Sequence, residues 1–193
     1  VDIGSNDGIF LNPLKNLGMN AIGVEPAKNV AKIANSKKLK TLPEYFSNKT
    51  VNKIIAKHGK ADVVTAFNVF AHGDGLKDIL RNTEDLLKKN GEFIFEIQYL
   101  LRTLKDLTFD NIYHEHFNYW SLTSLVNFFK QLDAKIIKSE QFDTHGGSLR
   151  IYVKKDKKAK VEKSVKQMLK DEEKFGIKKF ETYKKFGEKV YKI

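Results

Sequence analysis

Apolar runs of strand length alternate along the chain with longer stretches of helical spacing. Residues 1–4 read as a buried strand and its turn, followed by a helix over residues 9–17 that Gly18 ends. Residues 21–25 form a second strand, with a helix over 27–36 behind it. Residues 39–42 make a short third strand and 51–58 a further helix. The stretch 62–68 (Asp-Val-Val-Thr-Ala-Phe-Asn) is apolar and β-rich, the pattern of a fully buried central strand. In residues 76–89 the side chains Leu76, Ile79, Leu80, Leu86 and Leu87 recur at helical spacing and meet a stop signal at Asn90-Gly91. Residues 92–98 return to strand. This alternation predicts an α/β fold with a mostly parallel sheet.

Beyond Gln98 the pattern changes. Residues 100–119 are aromatic-rich and irregular, a length that points to function more than to simple connection. A helix resumes over 122–132, with Ser121 or Thr123 as its cap. Residues 134–142 and 148–153 read as two strands joined through Thr144-His145-Gly146-Gly147, an antiparallel hairpin at the edge of the sheet. From Lys155 the chain is Lys/Glu-rich, with sparse apolar residues at Val161, Val165, Met168 and Leu169. One or two helices without an obvious core partner are expected there. The division predicted is 1–154 for the folded domain and 155–193 for a Lys-rich helical segment.

A length of 193 residues suffices for one domain with a real core and an appendage. The absence of Cys excludes a disulfide framework and a thiolate zinc site within these residues. No apolar run reaches the ~18–20 residues of a membrane span and no signal peptide is recognisable, so a soluble, cytoplasmic protein without a membrane partner is expected. Few chains begin inside their own first core strand, and the sequence reads as a piece of a longer one. The net charge of +11 is uneven: residues 154–193 hold 15 Lys against 7 acids, and residues 1–153 carry only +3. A nucleic-acid surface would place Arg and aromatics within a basic stripe on the folded domain. The Arg-free tail reads instead as a solvated helical face, and no nucleic-acid partner is expected.

Candidate chemistry begins at the first turn. Gly4-Ser5-Asn6-Asp7-Gly8 is G-x-x-x-G, so the G-x-G-x-x-G dinucleotide fingerprint with its pyrophosphate turn is absent. A glycine turn between strand and helix still lets backbone amides approach a polar ligand. Glu25, about 20 positions on and at the end of the second strand, is where a carboxylate accepts both hydrogen bonds of a ribose diol. Together they imply a nucleoside-bearing cofactor lacking a pyrophosphate. The plain alternative is a tight turn with a surface acid before Pro26.

Further along, Tyr113-His114-Glu115-His116 is open to two readings, a loop knot held by hydrogen bonds or a cluster with chemistry. Its His-x-His pair could chelate a metal, but further ligands at a fixed spacing are lacking, and no metal site is expected. Taken alone, His72 suits a satisfied polar residue, His145 a hairpin turn, and Arg150 a partner for a sheet-edge carboxylate.

Val1-Asp2-Ile3-Gly4-Ser5-Asn6-Asp7-Gly8 resembles the first motif of class I S-adenosylmethionine-dependent methyltransferases. Asn68-Val69-Phe70-Ala71-His72, Tyr113-His114-Glu115-His116-Phe117-Asn118-Tyr119 and His145-Gly146-Gly147-Ser148-Leu149-Arg150 more specifically resemble the sugar-nucleotide C-methyltransferase family. Glu172-Glu173-Lys174-Phe175-Gly176 with Thr182-Tyr183 resembles the helical passage toward that family's C-terminal domain. The resemblance implies a Rossmann-like methyltransferase sheet and S-adenosyl-L-methionine as cofactor. It implies methylation of a carbon beside the ketone of a nucleotide-linked deoxysugar.

Residue by residue, the resemblance makes His116 the base that removes the C–H proton, with Tyr113 and Glu115 lining the same pocket and His72 contacting substrate or enolate. Gly4, Ser5, Asn6, Asp7 and Gly8 would meet the methionine part, Glu25 the ribose, Phe46 the adenine, and Asn68 the cofactor edge; His145 and Arg150 would touch substrate. The resembled enzymes also carry an N-terminal Cys-rich zinc-binding domain and a further C-terminal α/β domain, neither of which is in this sequence. Two alternatives stand beside this reading: O- or N-methylation of another small molecule, and a cofactor-binding fragment without turnover.

Overall fold

Strand β1 (Asp2–Ile3) is two residues long because Gly4, at φ 67°, turns the chain out of the sheet. The computed structural model describes residues 1–71, 75–156 and 158–193. The other strands are β2 (Gly23–Val24), β3 (Thr41–Leu42), β4 (Ala61–Phe67), β5 (Leu87–Gln98), β6 (Lys135–Phe142) and β7 (Ser148–Lys154). They form one mixed sheet in the order β3-β2-β1-β4-β5-β7-β6. The helices are α1 (Leu11–Asn16), α2 (Lys28–Ser36), α3 (Asn48–His58), α4 (Leu76–Leu86), α5 (Leu100–Asp106), α6 (Leu122–Lys130), α7 (Lys163–Phe175) and α8 (Phe180–Val190). By internal packing the chain divides into two units, Val1–Val69 with Asp74–Ile94, and Phe70–Gly73 with Phe95–Ile193.

In the first unit β1 pairs in parallel with β2 and with β4, and β2 with β3. Ile3 stands beside Val24 and Ala66, and Val24 beside Leu42, so the strands end together and their following residues share one rim. Ile3, Val24, Val64 and Ala66 are buried, with Leu11 of α1, Ala34 of α2 and Leu39 of the loop before β3 packed as a cluster. α3 begins where Ser47 accepts the Thr50 amide and ends at Gly59. Both are ordinary boundary chemistry.

The second unit is centred on aromatics. Phe70 stacks on Phe95 at 4.7 Å, and Phe95 lies 5.6 Å from Phe129 of α6, with Leu125, Leu149 and Ile151 fully buried around them. β6 and β7 pair antiparallel, with a bulge between Ile136 and Lys138. α6 opens with a Ser121–Ser124 capping box.

Four expectations need correction. β4 is buried only over Val64–Ala66, and Asp62 and Val63 are exposed, so the strand is central without being covered along its length. α4 stops at Leu86: residues 87–89, expected to be helical, open β5. Lys88 there donates to Asp62 at 2.7 Å, and tertiary pairing outweighs the local spacing. Residues 100–106, expected to be irregular, form α5. Most consequentially, the Lys-rich segment does have a core partner. α7 docks on β6 and α6, with Val165 buried, and the Glu172 carboxylate is fully buried, accepting the Leu122 amide at 2.6 Å and the Thr123 amide at 2.8 Å. An acid on one helix thereby caps the N-terminus of another.

Candidate active site

At the rim of the first unit the turn Gly4–Gly8 is fixed by what surrounds it. A Cβ on Gly4 would lie 2.8 Å from Val69 Cγ2, and one on Gly8 (φ 84°) 2.3 Å from Leu39 Cδ1. Neither position admits a side chain. Asn6, at φ 52°, occupies the left-handed region that Asn tolerates, and its Oδ1 accepts the Asp7 amide at 2.7 Å. Glu25, 9% exposed, accepts the Asn6 amide on Oε2 at 3.0 Å and the Ala27 amide on Oε1 at 2.9 Å. The carboxylate is thus held rigidly at the end of β2, each oxygen keeping a further lone pair.

Ser5 is buried, and its hydroxyl finds no hydrogen-bond partner among the described residues. Asp7 forms an ion pair with Lys37 at 2.7 Å, which holds its carboxyl below the ordinary range. Asn68, at φ 56°, ends β4 as an exposed residue, and Phe46 is half-buried in the loop after β3. Every cofactor residue read from the sequence therefore lies at or after a strand's C-terminal end, where open α/β sheets bind ligands.

The sequence reading missed Asp2. This acid is 4% exposed and accepts the Thr65 hydroxyl at 2.6 Å; burial pushes its carboxyl up to about 6, against the smaller opposing pull of that hydrogen bond. The available signal was a charged residue inside a two-residue buried strand.

In the second unit, the segment after α5 passes through a 3-10 turn at Phe109–Asn111 into the Tyr-His-Glu-His stretch. His116 is half-buried. Its Nδ1 lies 3.0 Å from the Asn111 carbonyl, which can only accept, so Nδ1 carries the proton. When the ring is neutral, Nε2 then bears the lone pair and can accept from the Tyr113 hydroxyl 3.1 Å away. The Tyr119 hydroxyl donates to the same Asn111 carbonyl at 3.2 Å. The Tyr113 and His116 rings are 4.3 Å apart, and the Phe117 amide donates to Ala71 at 2.8 Å. An imidazole with a fixed tautomer and a lone pair beside a phenol is equipped to move a proton.

Glu115 and His114 are exposed, with His114 Nε2 3.9 Å from the Glu115 carboxylate. His72 lies outside the described residues. His145 sits in the left-handed region at φ 52°, exposed, with its carbonyl accepting from Gln98 at 3.2 Å. Arg150 pairs with the buried Glu96 through Nε at 3.1 Å and Nη2 at 2.9 Å, and its guanidinium lies 4.3 Å from the Phe142 ring centroid.

This strand order, with its glycine turn and its acid after β2, is the fold of class I S-adenosylmethionine-dependent methyltransferases. A methyltransferase from Archaeoglobus fulgidus superposes with a TM-score of 0.60 at 17% identity, covering 78% of this chain and 84% of that one. Magnesium protoporphyrin IX methyltransferase (ChlM) from Synechocystis PCC 6803, with bound SAH, gives 0.58 at 14% identity over 79% and 71%. At such identities the likeness is one of fold.

Residues 1–139 match the family model described as a methyltransferase domain, and the chain belongs to that family, whose methyl donor is S-adenosylmethionine. Residues 143–193 match the model of a C-methyltransferase C-terminal domain. The chain is 34% identical over 188 residues to the C-methyltransferase NovU of Streptomyces niveus, covering 97% of this chain and 45% of that protein. It is 27% identical over 122 residues to a ubiquinone biosynthesis O-methyltransferase of Pelagibacter ubique (strain HTCC1062), covering 62% and 49%. The chain spans about half the length of these curated relatives.

Proposed function

We propose that this chain is the S-adenosylmethionine-binding part of a C-methyltransferase acting on a nucleotide-linked keto-deoxysugar, with His116 as the base. The observation that carries the proposal is the His116 imidazole, its Nδ1 proton on the Asn111 carbonyl and its Nε2 lone pair at the Tyr113 hydroxyl. The match of residues 143–193 to a C-methyltransferase domain and the likeness to NovU support carbon as the acceptor.

The residues at the first rim fit the cofactor. The Gly4 and Gly8 backbone leaves a cradle without side chains, the Ser5 hydroxyl is a spare polar group, and the held Glu25 carboxylate suits a ribose diol. Asn6 and Asp7 would meet the amino-acid end, Phe46 the adenine and Asn68 the cofactor edge. When bound, the cofactor supplies an electrophilic methyl on a positive sulfur.

Nε2 of His116 removes the proton from the carbon beside the ketone. Tyr113, hydrogen-bonded to that nitrogen, turns its hydroxyl to the developing enolate oxygen, where a donor stabilises the charge. Glu115 and His72 would orient the sugar, and His145 and Arg150 would contact the rest of the substrate. Residues 1–154 form the cofactor-binding domain in this proposal, and 155–193, within the stretch matched to a C-methyltransferase C-terminal domain, form its Lys-rich helical segment.

The test incubates the intact protein with S-adenosylmethionine and a panel of nucleotide keto-sugars in deuterated solvent. A mass gain of one methyl, release of S-adenosylhomocysteine and exchange at the carbon beside the ketone are expected for one member. Methyl transfer without exchange would instead indicate an oxygen or nitrogen acceptor.

A further inference from the structure

Asn111, whose carbonyl meets His116 Nδ1, has a turn from another part of the chain beside its side chain. Arg102 of α5 bridges two acids on different elements: Nε donates to Asp106 at the end of α5, and Nη1 donates to Asp143 in the β6–β7 turn at 2.8 Å. The turn is pressed against this arginine. A Cβ on Gly147, at φ 110°, would lie 2.5 Å from Arg102 Cβ and 2.6 Å from Cγ. Two further bonds fasten the turn to the end of β5, from the Tyr99 amide to the Gly147 carbonyl (2.9 Å) and from Gln98 Nε2 to the His145 carbonyl (3.2 Å). The next residue back, Gly146, abuts the base segment: a methyl there would stand 3.5 Å from Asn111 Nδ2 and 3.6 Å from Thr108 Cγ2. A neutral imidazole left to itself favours the proton on Nε2. Holding it on Nδ1 requires a carbonyl that does not drift.

We propose that Arg102 is a positioning residue for the base: by clamping the Asp143–Gly147 turn to α5 it backs Asn111, and so keeps His116 protonated on Nδ1 with Nε2 available. The inference rests on His116 being the base, and it gives Gly146 and Gly147 a supporting role separate from the substrate contact proposed for His145. Arg suits the task because its rigid planar fork presents separate N–H donors to the two carboxylates.

The direct readout is the His116 tautomer by ¹⁵N NMR of the histidine-labelled intact protein, at a pH where the ring is neutral. The parent is expected to show Nδ1–H. Arg102→Ala is expected to shift the ring toward Nε2–H and to slow exchange of the substrate proton about tenfold, the scale of a small misplacement of a reacting group. Affinity for S-adenosylmethionine should stay within twofold.

Should Arg102→Ala fail to fold, Asp143→Asn carries the same test, because the Asp143 side chain is 91% exposed. Asp143→Glu, which keeps the carboxylate, should restore the parent tautomer. A parent ring protonated on Nε2, or Nδ1–H unchanged in every folded variant of the clamp, overturns the proposal. The second result leaves His116 standing as the base, whereas the base assignment itself fails only if a His116 variant still exchanges the substrate proton.

Discussion

At the rim of β1–β4 the ligand-facing groups are set by backbone: two glycines without room for a side chain, an Asn in the left-handed region, and a carboxylate pinned by the amides of Asn6 and Ala27. In the segment after β5 the proposed base is a side chain hydrogen-bonded to a carbonyl five residues away, with the proposed clamp joining residues 41 apart. The first arrangement is local and tolerates distant change. The second is assembled from α5, a 3-10 turn and a hairpin turn, and fails if any of them shifts. Binding and proton transfer in this chain should therefore break separately.

The largest expected separation comes from His116→Ala, which should lower turnover of the intact protein about 10²–10⁴-fold while cofactor affinity, followed by calorimetry, barely moves. A parallel loss of both would show that the two regions are not independent.

Glu172→Ala should come next, costing about 3 kcal/mol in denaturant unfolding, because two buried amides of α6 lose a charged acceptor. This change bears on α6 and α7 and leaves the donor loop untouched, so cofactor affinity at temperatures well below unfolding should be unaltered.

Asp2→Asn tests the first region through pH. The folded carboxyl titrates at about 6 and the unfolded one near its ordinary value of 3.8. The protonated form is the one the fold favours, so its stabilising contribution is complete below pH 3.8 and is lost as the pH rises through 6. The amide variant should match the parent at low pH and exceed it by about 2–3 kcal/mol above pH 6. Coincident stability curves across that window would contradict the burial argument.

Smallest in free energy is Glu25→Ala, expected to weaken S-adenosylmethionine about tenfold or more, the worth of one or two hydrogen bonds to a carboxylate. Proton exchange at saturating cofactor should persist.

How much of this was legible beforehand follows the same division. The glycine turn and Glu25 were readable because backbone conformation and strand ends leave a local mark. The parallel β-α alternation and the hairpin were equally plain from spacing. The Tyr-His-Glu-His stretch could be singled out by residue type, but its hydrogen bonding could not, since Asn111 offers a main-chain oxygen that any residue would carry. The Arg102–Asp143 clamp joins positions with no periodic relation. Glu172 looked like one acid among many in a Lys/Glu-rich tail until the N-terminus of α6 came to rest against it. Residues 87–89 misled because helical spacing continued past Leu86, where β5 takes over.

The central claim is tested most directly by the exchange of deuterium from the substrate carbon, followed by NMR for the intact protein and for His116→Asn with S-adenosylhomocysteine bound. The account predicts steady loss of label with the parent and a rate at least a hundredfold lower with the variant. Equal rates in the two proteins would contradict it.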